Sequence, residues 1–241
     1  MKLTNKTKKV ISSLFLISFI TNSIFADAEL IARFEFNRNL DDKYLMANGS
    51  EDEPHLEFRR ETPKGRMGYS IEFTDHQEYL SCFKLPSSLI EEEGSLSFWV
   101  NKKEPINKKK LEYLFYAPDL YSGIYIGFNE EIYEGIVINL AGEKWSYYDV
   151  VPFGKWTHVA LTWSDDGIAT LYINGKKQED VIEFDASSLH VIDKIRIGNF
   201  SGNNNAKDKL KVNQFTGYLY DLNFYEGVLS KNQIGKLFNR R

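Results

Sequence analysis

An aromatic ring beside a carboxylate suits the recognition of a sugar. The ring face packs on C–H surfaces, and the carboxylate accepts hydrogen bonds from hydroxyls. The run Trp145-Ser146-Tyr147-Tyr148-Asp149 holds such a set. On an extended strand, alternation places Trp145, Tyr147 and Asp149 on one face, and Ser146, Tyr148 and Val150 on the other. Two environments fit that pattern: an exposed stacking platform, or a pair of rings turned into the core. Asp149 on the same face favours the platform. Tyr121 and Tyr125, one loop earlier, extend it, and these five residues form the candidate ligand-binding set.

Other chemistry finds less support. His55, His76, His158 and His190 are scattered, with no two at a metal-binding spacing, and an alternating strand position suits His158 to packing or a structural hydrogen bond. Ser164-Asp165-Asp166-Gly167 reads as a turn. No glycine-rich loop follows a strand and opens a helix. Asp119 falls on a loop without partner carboxylates, and Cys82, the one cysteine, reads as a buried, inert thiol.

These residues have to be positioned by elements that begin after an export signal. Lys2, Lys6, Lys8 and Lys9 precede an apolar stretch from Val10 to Ile20, and Ala26 and Ala28 supply the small residues of a cleavage site. The stretch is too short for a membrane-spanning helix. Residues 1–28 are therefore expected to be removed and residues 29–241 to form one secreted or extracytoplasmic domain, with no membrane span after removal of the signal. Removal takes four of the 30 basic residues and one of the 34 acidic ones, so the mature chain is more acidic than the full chain at −4. Overall charge of that sign argues against nucleic acid and anionic membrane as partners.

Almost every apolar segment is short and alternates with period two. Strands are predicted at 30–37, 69–73, 79–83, 95–100, 113–117, 123–128, 135–140, 144–151, around 159–163, at 168–173, 195–198 and 215–225. Residues 43–64 and 101–110 read as surface connections. Asn174-Gly175 is a hairpin turn, since both central positions of a type I′ turn need positive φ. Ser230 with Gln233 makes a capping box for one short helix with Ile234, Leu237 and Phe238 as its apolar stripe. The pattern describes an all-β, two-sheet antiparallel jelly-roll sandwich with a short C-terminal helix.

Two blocks resemble the laminin G-like and pentraxin branch of the concanavalin A-like lectin/glucanase jelly rolls. Trp156-Thr157-His158-Val159-Ala160-Leu161-Thr162-Trp163, running on to Ile173-Asn174-Gly175-Lys176, is similar to that family's W-x-H-V-A-x-T hairpin ending in D/N-G-K. Gly217 to Tyr225, followed by Val228-Leu229-Ser230 and Gln233-Ile234, resembles its last strand and terminal helical turn. The departures bear on function. Where pentraxins carry a disulfide cysteine this chain has Ala160, and where they hold calcium it has Asn199, Phe200, Ser201 and Gly202, without a carboxylate. No cofactor is expected; calcium stays open, with the pentraxin-type ligand cluster absent. Glycoside hydrolases of this superfamily carry a signature resembling E-x-D-x-x-E; Glu183-Phe184-Asp185-Ala186-Ser187-Ser188 lacks its third acid, and Glu130 and Glu134 have another spacing. Asp221 is expected to pair or cap near the terminal helix. The resemblance and the residues together imply a non-catalytic module that binds an extracellular or cell-surface carbohydrate. The alternatives are a protein-interaction or adhesion module and, behind it, a glycoside hydrolase or polysaccharide lyase.

Overall fold

The computed structural model describes residues 28–36, 45–48, 57–74, 79–83, 93–104, 111–116, 123–128, 134–189, 194–198 and 214–240. They form two packed antiparallel sheets. The first contains β1 (Glu29–Phe34), β3 (Glu57–Arg59), β4 (Ser70–Phe73), β6 (Gly94–Lys102), β11 (Trp156–Trp163), β12 (Ile168–Ile173), β13 (Lys176–Glu183) and β15 (Gly217–Glu226). Its order is β13-β12-β11-β6-β15-β4-β3, and β1 also pairs with β15. The second contains β2 (Leu45–Asn48), β5 (Tyr79–Phe83), β7 (Glu112–Tyr116), β8 (Ile124–Phe128), β9 (Ile136–Leu140), β10 (Glu143–Tyr147) and β14 (Lys194–Ile197), in the order β10-β9-β8-β7-β14-β5-β2. One helix, α1 (Lys231–Asn239), follows β15.

Alternation on each strand builds the core between the sheets. Leu96, Phe98 and Val100 of β6 and Val159, Leu161 and Trp163 of β11 meet Ile124, Ile126, Ile136, Ile138 and Leu140 of the second sheet. The hairpin after β12 has the expected geometry, with φ of 50° at Asn174 and 75° at Gly175. Ser230 and Gln233 close the capping box of α1.

Two expectations are corrected. Residues 43–64 are not one long connection, since they contain β2 and β3, which pair with β5 and β4. Asn101 and Lys102 are not in a solvated loop: they end β6, and Lys102 is 1% exposed. Its ammonium lies 2.8 Å from the carboxylate of Glu112 on the other sheet, which compensates for its removal from water.

Candidate functional site

The five expected ligand residues do not come together. Strand β10 is the edge of the second sheet, and its Trp145–Tyr147 face is the core face. Tyr147 is 7% exposed and its hydroxyl donates to the carbonyl of Asp180 on β13, 3.1 Å away, joining the edges of the two sheets. Burial, with a lesser contribution from the Asp180 carboxylate, pushes its phenol up to about 12. Trp145 is half-buried and packs against the same core. The strand ends at Tyr147, and Asp149 takes a φ of 55° in the exposed turn beyond, so it no longer shares that face by alternation. The exposed ring of this run is Tyr148, at 63%. Tyr121 lies outside the described residues. Tyr125 lies on the far side of the second sheet.

That outer face carries a continuous row. Register places Lys144 of β10 opposite Asn139 of β9, and Asn139 opposite Tyr125 of β8. Tyr125 faces Tyr116 of β7, and Tyr116 faces Arg196 of β14. Ser81 and Met46 continue the register through β5 and β2, so the row crosses all seven strands. Its floor is a tyrosine cluster. Tyr113 meets Tyr116 edge-on at 5.8 Å and Tyr125 edge-on at 5.4 Å, the arrangement favoured by the ring quadrupoles. The rings are 7–9% exposed and pack with Val137 and Leu111. Burial, reinforced by Tyr125 and Tyr116, raises Tyr113 to about 12, and burial also raises Tyr125. Asn139 is fixed by accepting from the Gly142 amide at 3.3 Å. A Cβ on Gly127 would run into Leu111 and the Glu112 carbonyl, so a side chain there would push up the floor. Arg196 is half-buried and Lys144 exposed, and these two flank the aromatic floor.

The outer face of the first sheet is occupied by α1. Ile234 and Leu237 pack with Ala160, Tyr172 and Tyr225, and Phe238 stacks on Trp99 at 5.7 Å. Arg66 sits 4.6 Å over the Trp99 ring and donates to the carbonyls of Leu237 and Phe238 at the helix end. Asp221 accepts from Arg33 at 3.0 Å and from Arg66 at 3.3 Å, so it pairs beside the terminal helix as expected. A recess of about 300 Å³ opens here, but the charges of Arg33, Arg66 and Asp221 are already satisfied by one another, Glu35 and the helix end. His158, beneath Phe238, is held neutral, its pKa pushed down to about 3 by burial and then by Arg66.

The acidic run at Glu183 serves local structure. Asp185 caps the turn Ala186–Ser188, accepting from the Ser187 amide at 3.1 Å and from the Ser187 and Ser188 hydroxyls. Among the described residues no three His, Cys, Asp or Glu side chains cluster as a metal site. Asn199 to Gly202 lie outside the described residues. The outer row escaped the sequence reading except at Tyr125, because it is made by the pairing of strands far apart in the chain.

Comparison with known proteins supports the architecture. Residues 78–235 match the Laminin_G_3 family model, described as the concanavalin A-like lectin/glucanases superfamily. No curated protein matches the chain. Among solved structures, domain 4 of AbnA, a GH43 extracellular arabinanase from Geobacillus stearothermophilus in complex with arabinotriose, is 19% identical with a TM-score of 0.63; the match covers 88% of this chain and 100% of that one. The botulinum neurotoxin serotype D/C VPI 5993 binding domain is 16% identical with a TM-score of 0.65 over 88% of this chain and 52% of that one. A botulinum neurotoxin DC binding domain in complex with rat synaptotagmin II is 17% identical with a TM-score of 0.60, over 81% and 46%. The chain thus spans about half the length of the neurotoxin domains and the whole of the arabinanase domain. At these identities the likeness is one of fold.

Proposed function

The chain belongs to the concanavalin A-like lectin/glucanases superfamily, and we propose that it is an exported, non-catalytic module that binds an extracellular or cell-surface carbohydrate through the outer face of its second sheet. The observation that carries this reading is the row from Arg196 through Tyr116, Tyr125 and Asn139 to Lys144. Tyr116, Tyr125 and Asn139 are 7%, 8% and 4% exposed and form the floor of the row. Lys144 and Arg196 are its more accessible members, and α1 packs on the outer face of the other sheet. A rigid floor with polar groups at its rims is the composition of a sugar site: little side-chain entropy is lost, and hydroxyls find donors and acceptors. The arabinanase domain, in complex with arabinotriose, supports a saccharide as the ligand class.

A glycan array of plant, bacterial and animal saccharides, followed by titration of the best binders, tests the proposal. Binding is expected for the parent protein and is expected to weaken in an Asn139→Ala, Lys144→Ala double variant. An array with no retained saccharide would overturn the reading and favour a protein partner.

A further inference from the structure

We infer that the domain has a second interaction surface, a groove between α1 and β15 that holds an acidic, apolar peptide segment of a partner protein. It lies on the first sheet and stands apart from the carbohydrate reading above. The groove has a volume of about 520 Å³. Buried Tyr225 and Leu229 form its floor, half-buried Gln233 and Leu237 its wall, and exposed Lys236 and Arg240 its rim. Arg240 also lines the recess of Arg33, Asp221 and Met67, so the two hollows adjoin. Among the described residues the exposed large apolar side chains are Leu30, Met67, Tyr148, Val181 and Val228. Three of them border these hollows: Leu30 stands opposite Tyr225 in the pairing of β1 with β15, Val228 precedes Leu229, and Met67 lines the recess. Single exposed apolar residues are ordinary, whereas their gathering around a hollow marks an interaction site.

The charges at the rim select the occupant. Helix α1 contains Lys231 and Lys236 and no acid. Lys236 and Arg240 stand one helical turn apart on the groove, and neither has a hydrogen-bond or ion-pair partner among the described residues. No carboxylate lines the groove. At its Arg240 end, Glu35 and Asp221 are engaged by Arg33 and Arg66. At the other end the balance reverses: Glu29 and Glu226 stand opposite each other at the end of β1 and β15, and Glu93 lies beside Gly227. A peptide therefore sets its acids against Lys236 and Arg240 and an apolar side chain over Leu229 and Leu237, with no acid at the Val228 end. An apolar anchor in a hollow with charged contacts at the rim is the usual division of work in such contacts. A second copy of this chain is a poor occupant, because across a two-fold axis hollow meets hollow and leaves a void. A membrane surface is a poor one too: the hollow receives a side chain rather than inserting one, and the whole chain carries −4.

Random dodecapeptides displayed on phage are selected against the protein, and the winners are synthesised and titrated. Expected winners carry a leucine, isoleucine or aromatic residue with acids close by on one side only. Two double variants alter exposed side chains alone: Lys236→Glu with Arg240→Glu, and Leu30→Asn with Val228→Asn. The first should weaken the best peptide about ten- to a hundredfold, the size of one charge-assisted hydrogen bond, and the second about tenfold. The same peptide with lysines for its acids should bind the charge-reversed variant better than the parent, which a merely structural role for the two cations would not produce. A selection without winners, or winners without acids, overturns the inference. Winners that ignore both double variants overturn the placement. Sedimentation with phosphatidylserine vesicles that charge reversal abolishes assigns the surface to a membrane, and self-association that the apolar variant abolishes assigns it to a second copy; either result overturns the peptide. Saccharide binding should be unchanged in both double variants, so the carbohydrate reading stands or falls separately. A melting curve for each variant separates lost binding from lost fold.

Discussion

Lys102 of the first sheet and Glu112 of the second form a buried ion pair across the sandwich, 2.8 Å apart with side chains 1% and 9% exposed. Thr216 completes the site: its amide donates to Glu112 at 3.1 Å, and its hydroxyl lies 3.3 Å from the ammonium. The rings of Phe153 and Phe215 lie 5.9 and 5.8 Å from the ammonium. Burial pulls the Lys102 pKa down and Glu112 opposes it, with burial the stronger influence.

Breaking this pair from one side strands a charge in the interior. Lys102→Met is expected to lower stability by about 3–5 kcal/mol, whereas Lys102→Met with Glu112→Leu should recover most of the loss. Urea denaturation of both variants checks this; a single variant within about 0.5 kcal/mol of the parent would show that water reaches the pair.

His158 makes the protein sensitive to acid. The imidazole titrates near 6.5 when unfolded and near 3 when folded, where burial and Arg66 disfavour its charge. Stability therefore holds above pH 6.5 and declines as pH falls toward 3, because the unfolded chain binds a proton that the folded one refuses. The slope from this group approaches about 1.4 kcal/mol per pH unit. In His158→Gln, denaturation midpoints between pH 6 and 4 should fall less steeply than in the parent. Parallel slopes would mean that the folded protein protonates His158.

The edge strand offers a contrast between neighbours. Trp145→Ala opens space against the core and is expected to cost about 3 kcal/mol, the low end for a large aromatic because the ring is half-buried. Tyr148→Ala, at a ring 63% exposed, should stay within about 0.5 kcal/mol. Thermal melts of the two variants check the expectation; an unchanged Trp145→Ala protein would return that ring to the surface.

Export has its own measurement. The mature chain is expected to begin near Asp27 or Glu29, which leaves β1 whole from Glu29. Intact mass of protein from its native host decides the matter, and a mass that includes residues 1–26 would exclude cleavage there. Residues 1–27, which hold the expected signal, lie outside the described residues.

The sandwich was legible because alternation is a local property: Leu96, Phe98 and Val100 announce a buried face without knowledge of their partners. The hairpin at Asn174-Gly175 and the cap at Ser230 were legible for the same reason. Alternation does not say which face of an edge strand is inward. For Trp145 and Tyr147 that was decided by β13, whose Asp180 carbonyl receives the Tyr147 hydroxyl. Lys102 was misread because it belongs to a lysine-rich run, and its burial depends on a carboxylate in the opposite sheet. The Arg196-to-Lys144 row depends on the register of five strands and has no signature in any one of them.

The place of β15 in the first sheet sets the order in which the domain can be completed. This strand comes last in the sequence yet lies in the middle of the sheet, between β6 on one side and β4 and β1 on the other. Residues near 30 therefore wait for residues near 225 before they find a partner, and such distant pairings make folding slow. Until β15 arrives, β6 on one side and β4 and β1 on the other present open hydrogen-bonding edges, the surfaces through which unfinished chains stick to one another. A nascent chain stopped short of Gly217 would be an aggregation hazard, whereas one that must stay unfolded to cross a membrane gains time from the same delay.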